Sequence, residues 1–330
     1  MTRERYPNLD ILRLFLAVEV VAQHAYNIKN PGSFLPPIAA VPAFVCLSGF
    51  LIPASLDRSN GWGHFAWKRA LRVYPALLVS FALVVALFGF RSFTPTLVTY
   101  LTMGLVALPF AANGALWSLM VEEVLYAWHV VMRRWWTPKV AVGLLSFAVA
   151  TWLALRISGL VHPGTQWNNI IGTAASFFVG NVLYWIKEKL RGVSPLLATG
   201  ALVAVMLAGY VGLPDIVTWP LASALALVTA YRLPQWSGRW VDLSYSVYVY
   251  HVPILVALMA FGIYGAPLLV ATLAAVLPLA WLSWVLVERP ALRWKERVPR
   301  FLSRRRTAPS HPESPEQIAQ APLHPVEAVR

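Results

Sequence analysis

Apolar runs recur along this chain almost to residue 290, parted by short polar or charged stretches. A bilayer core is crossed by ~20 consecutive, mostly apolar residues in a helix. On that measure the pattern predicts ten spans, at 9–28, 38–56, 70–90, 115–133, 140–157, 169–187, 195–212, 215–231, 243–262 and 266–288. A further apolar segment, 96–110, is interrupted by Thr94-Pro95 and Pro109 and reads as a short re-entrant or interfacial piece. The expected fold class is therefore all-α, a polytopic membrane protein of about ten transmembrane helices.

The first span breaks the apolar rule. Its stretch RLFLAVEVVAQH carries Arg13, Glu19 and His24. A charge at mid-bilayer costs roughly 2.5–3.5 kcal/mol on insertion scales, so such groups face a protein interior. Eleven residues at 100° each come to about 20° beyond three full turns, which puts Arg13 and His24 on one helix face, roughly 16 Å apart. Asp10 lies one turn from Arg13 and can pair with it, while Glu19 points elsewhere. One interior face thus carries a fixed cation at one end and a titratable base at the other. Taken singly, such residues are more often structural. A histidine near a helix end is usually interfacial, and an arginine beside an aspartate is usually a buried pair.

Composition narrows the class. With 58% hydrophobic residues and a mean hydropathy of +0.61, the 330-residue chain is too apolar for a soluble domain. The 15 tryptophans and 25 prolines suit interfacial belts and broken membrane helices. The net charge of +13 would suit nucleic acid, but its placement argues against that. With a cytoplasmic N-terminus, all 27 Lys and Arg residues except Arg13, Lys29, Arg91 and Arg156 fall on the cytoplasmic side. This is the positive-inside pattern, and it puts both termini in the cytoplasm. The single cysteine, Cys46, leaves no internal disulfide or cysteine-based metal cluster to expect. A cleavable signal peptide is not expected, since the first apolar run contains Arg13. The chain divides into a membrane domain, 1–297, and a basic, then Pro/Ser/Glu-rich tail, 298–330, expected to be disordered.

Six stretches occur in an order that identifies a family. They are NLDILRLFLAVEVVAQH with Arg13 and His24, CLSGFLI at 46–52, KRALRVYP with Arg69 and Arg72, LWSLMVEEVLY at 116–126, SYSVYVYHVPI at 244–254, and Glu288-Arg289-Pro290. In these the chain resembles the acyltransferase-3 family of integral-membrane acyltransferases, over roughly residues 6–297. Departures are mild: Cys46, Leu125 and Tyr250 replace more usual residues, and none removes a reactive group. The periplasmic esterase-like domain that many relatives carry after the last span is not expected here. Any acyl relay would then be missing or supplied by a separate periplasmic partner.

The resemblance implies transfer of an acyl group, commonly acetyl, from a cytoplasmic acyl-CoA co-substrate to a hydroxyl of a cell-surface or exported carbohydrate, in a bacterial inner membrane. No permanently bound cofactor or metal is implied. His24 would be the general base, since its ordinary pKa of ~6.5 suits proton transfer near neutrality. Arg13, deeper, would hold the pantetheine arm or polarise the thioester. Arg69 and Arg72, three residues apart and expected on one face, would bind CoA phosphates with Lys68. Glu122 would orient His24 or stabilise Arg13. Asp10, Trp117, Ser118, Tyr126 and His251 are supporting or acceptor-side candidates. Glu123 reads as structural. Ser48 lacks a nucleophile-elbow context, so small-residue helix packing explains it better. Two other functions fit parts of the pattern. One is acylation of a secreted small molecule such as a macrolide. The other is a proton-coupled transporter relaying through His24, Glu122 and His251, which the missing repeat symmetry and the paired arginines disfavour.

Overall fold

The computed structural model describes residues 6–27, 40–89, 93–102, 113–237 and 241–297. Among them the regular structure is entirely helical. The helices are α1 (Pro7–Asn27), α2 (Ala40–Asp57), α3 (Trp62–Phe88), α4 (Phe93–Leu101), α5 (Leu116–Met132), α6 (Pro138–Ile157) and α7 (Gln166–Trp185). They continue with the short α8 (Lys187–Leu190), then α9 (Pro195–Tyr210), α10 (Asp215–Arg232), α11 (Ser244–Ala260), α12 (Gly265–Ser283), a π-helical turn (Trp284–Glu288) and α13 (Arg289–Leu292).

Each of the ten expected spans coincides with a helix. Four segments, α2, α3, α6 and the run from Gly265 to Leu292, are long and apolar enough by themselves to cross a membrane. The largest boundary difference is at α3, which begins at Trp62 rather than near 70. Its first turns are amphipathic: Gly63, His64 and Phe65 are buried, whereas Trp62 and Ala66 are exposed. A hydropathy window passes over such polar turns. Of the interrupted segment 96–110, residues up to 101 belong to α4. Its remainder past 102, and the tail at 298–330, lie outside the described residues.

Large apolar side chains crowd the outer surface. Leu196 is 82% exposed, Ile157 78% and Phe147 69%. So much exposed apolar surface has no stable place in water, but it matches lipid tails. The protein is accordingly a helical membrane protein. Caps set several helix starts: Thr137, Thr165 and Ser194 each accept from a backbone N–H in the first turn of α6, α7 or α9.

Two glycines allow α2 and α7 to touch along their backbones. A Cβ on Gly49 would strike the Phe177 carbonyl, and one on Gly180 would strike the Cys46 carbonyl and lie 2.8 Å from the Phe50 nitrogen. Neither backbone can yield without parting the helices, so the LSGF stretch is a packing seam of small residues. Gly180→Leu should therefore sharply reduce the yield of monodisperse protein in detergent. Gly143→Leu, where a Cβ meets open space, should leave that yield unchanged, as size-exclusion chromatography would show.

α1 is central, packed against α2, α10, α11 and α12. Its neighbour α11 contains Pro253, which has no N–H to give the Val249 carbonyl four residues back. Ser80 Oγ (2.8 Å) and Asn113 Nδ2 (2.9 Å) donate to that carbonyl instead. This ties α3 and the segment before α5 to α11, two residues short of His251. Where α11 meets the π-helical turn, Ser246 Oγ donates to the buried Glu288 carboxylate at 2.5 Å. The SYS and ERP motifs therefore meet at this contact.

Candidate active site

The α1 face predicted from the 11-residue spacing lies against α11. Both residues find partners on α11 or just before it. At one end, Arg13 Nη1 lies 3.7 Å from Asp242 and 3.9 Å from Asp10. At the other, the His24 and His251 rings stack at a tilt, with centroids 5.0 Å apart. The two helices therefore run in the same direction along this seam.

Asp242, just before α11, anchors the cationic end. It accepts from Arg72 Nη2 on α3, and from the Ser244 backbone N–H (3.1 Å) and hydroxyl (2.5 Å). Burial pushes its carboxyl up, but Arg72, Arg13 and the Ser244 bonds together outweigh this and hold it below the ordinary aspartate value. Asp242 was not among the sequence candidates. The available signal was its isolation, as the sole acidic residue between Asp215 and Glu288, directly ahead of the SYS motif.

Arg69 and Arg72 part company, contrary to the expectation that they face one way. Arg72 turns inward to Asp242. The Arg69 guanidinium lies over the rings of Phe65 (5.9 Å) and Tyr126 (5.5 Å), and its buried Nε has no hydrogen-bond partner among the described residues. An i, i+3 step rotates about 60° short of a full turn, enough to send two long side chains to different neighbours. Lys68 is half-buried beside them. Arg69 lines a cavity of about 410 Å³ between α3 and α5, whose walls also include Trp62, Val73, Tyr74, Glu123 and Tyr126.

Glu122 corrects a second expectation. It accepts from the Ser48 and Tyr126 hydroxyls. Among the described residues its hydrogen bonds reach neither His24 nor Arg13. Ser48 is thus more than a packing residue, since its hydroxyl links α2 to α5. Ser118 bonds the Tyr248 hydroxyl at 2.6 Å, one turn from His251. Trp117 packs into the apolar cluster around Val121 and Phe178, while Ser118 and Tyr126 lie on separate cavities.

Ion pairs to Asp242 mark the basic end of the seam, and the two imidazole rings mark the other. His251 is fully buried, whereas His24 is half-buried. His24 Nδ1 lies 2.9 Å from the Val20 carbonyl and 3.3 Å from His251 Nε2. The sequence brought His24 forward from helix spacing, but its contact with a residue 227 positions away carried no sequence signal.

Residues 6–288 match the acyltransferase domain profile of the acyltransferase-3 family. Nodulation protein 10 of Rhizobium leguminosarum bv. viciae is 27% identical over 87% of this chain and 93% of its own length. An O-acetyl transferase of Shigella phage Sf6 is 28% identical over 85% of this chain and 94% of its own. No solved structure matches the chain significantly.

Proposed function

This chain belongs to the acyltransferase-3 family and is an acyltransferase; from that premise we propose that it moves an acetyl group from a cytoplasmic acyl-CoA to a hydroxyl of an exported carbohydrate, with His24 as general base. The observation that carries the reading is the half-buried His24, whose Nε2 has no hydrogen-bond partner among the described residues, at one end of the α1–α11 seam. A hydroxyl attacks a thioester slowly until a base takes its proton in the transition state. The ester C–O bond then forms, the C–S bond breaks, and the departing sulfur receives that proton from the imidazolium. Acetyl-CoA becomes free CoA, and no other reactant is consumed.

In this reading both termini are cytoplasmic, ten helices span an inner membrane, and the donor enters beside α3 and α5. The cavity there suits an extended, largely apolar arm with one anionic group. Its walls are mostly apolar, and Arg69 presents a guanidinium whose buried Nε–H has no partner among the described residues. Arg72 and Arg13, held by Asp242, position this end rather than grip phosphate directly. The relative from the Shigella phage is named an O-acetyl transferase, which favours acetyl as the group moved.

The test is purified protein given acetyl-CoA, with release of free CoA followed in the presence of an oligosaccharide or a macrolide. We expect release that depends on the oligosaccharide. Arg69→Ala should raise the KM for acetyl-CoA roughly tenfold or more, because a hydrogen bond to a charged group contributes ~1.5–3 kcal/mol. Macrolide-dependent release would replace the acceptor class, and no release with any hydroxyl acceptor would refute the donor.

A further inference from the structure

We propose that His251 is a positioning residue that holds His24 in the Nδ1–H tautomer, so that Nε2 is the atom that takes the acceptor's proton. This rests on His24 being the base and adds how the base is set. Carbonyl oxygens only accept hydrogen bonds. His251 Nδ1 lies 2.6 Å from the Tyr248 carbonyl, so it carries its proton there. The Nε2 of a neutral His251 is then a lone pair, and it faces His24 Nδ1 at 3.3 Å. That same Nδ1 faces the Val20 carbonyl at 2.9 Å. A proton on His24 Nδ1 satisfies both acceptors, and His24 Nε2 is left with its lone pair.

The opposite assignment fails on the same distances. If both protons were moved to the Nε2 atoms, each Nδ1 lone pair would point at a carbonyl oxygen within 3 Å. Burial keeps His251 itself away from substrate, so its action passes through His24. The Val20 carbonyl alone is a weak device, because the α1 backbone ladder also draws on it. His251 adds a second acceptor, rigidly held by the α11 backbone. When His24 Nε2 takes the acceptor's proton, the Nδ1–H of the resulting imidazolium donates more strongly to both partners. The orienting group behind a catalytic base works in the same way elsewhere.

The experiment uses the full chain in lipid nanodiscs with ¹⁵N-labelled histidine, the His24 signals being assigned by their loss in His24→Gln. Nitrogen shifts should show a protonated Nδ1 and a bare Nε2 on His24 in the resting enzyme, with no turnover needed. In His251→Leu the Nε2–H form should grow, and kcat should fall roughly ten- to a hundredfold with KM for acetyl-CoA unchanged. His251→Gln, whose amide oxygen can accept from Nδ1–H, should recover most of the tautomer and most of the lost rate relative to leucine. A purely structural histidine predicts equal losses for both variants and no change of tautomer. Finding His24 as the Nε2–H form in the wild type would overturn the inference, even if His251→Leu fails to fold. A fully active His24→Gln would instead remove the base assignment and leave the tautomer result standing.

Discussion

Replacing His24 by glutamine should lower acyl transfer per folded molecule by ~10²–10⁴-fold, the usual contribution of a general base. Glutamine keeps the reach and a hydrogen bond to the Val20 carbonyl, so α1 and its packing on α11 should survive. What it lacks is a lone pair that can hold a proton at neutral pH. Expression, melting temperature in detergent and acetyl-CoA binding should stay near wild type, since the arginine end of the seam is about three turns away. Turnover of correctly folded glutamine enzyme close to wild type would show that the proton leaves by another route. His24→Ala should lose as much rate, and the agreement of the two would show that the missing property is basicity rather than bulk.

Asp242→Ala should be the most destabilising single change at the site, costing about 3–5 kcal/mol, the range for breaking a buried ion pair from one side. Two guanidiniums face this carboxylate, Arg72 and Arg13, and Arg13 also lies 3.9 Å from Asp10. Truncation also removes the acceptor for the Ser244 hydroxyl and backbone N–H at the start of α11. Asp242→Asn should lose less, because its amide oxygen still accepts from Ser244. Arg72→Met combined with Asp242→Ala should be less harmful than the sum of the two, since the orphaned charge is gone. Stability against denaturing detergent would measure this coupling. Strict additivity would mean that the pair contributes nothing. The depressed folded-state value of Asp242 also fixes a pH sign. Its contribution is full above the ordinary aspartate pKa of ~3.9 and is lost as pH falls through the lower folded value, so this group predicts no loss between pH 7 and 5.

The amino-acid sequence determined the helical membrane architecture and one functional face. Both follow from local periodicity: a run of apolar residues sets where a helix can sit in lipid, and 100° per residue puts Arg13 and His24 on one side of α1. It also marked His251, Arg69, Arg72 and Glu122 as candidates, while Ser48 read as a packing residue. Only the tertiary structure decided whom they meet. Arg72 turns to Asp242, Arg69 turns to Tyr126, Glu122 takes Ser48 and Tyr126, and His24 meets His251. The reason is physical. A helix period fixes the direction in which a side chain leaves its own axis, whereas its partner depends on how helices far apart in the chain pack. Here that packing is set by the Gly49–Gly180 seam and by the carbonyl that Pro253 leaves open to Ser80 and Asn113.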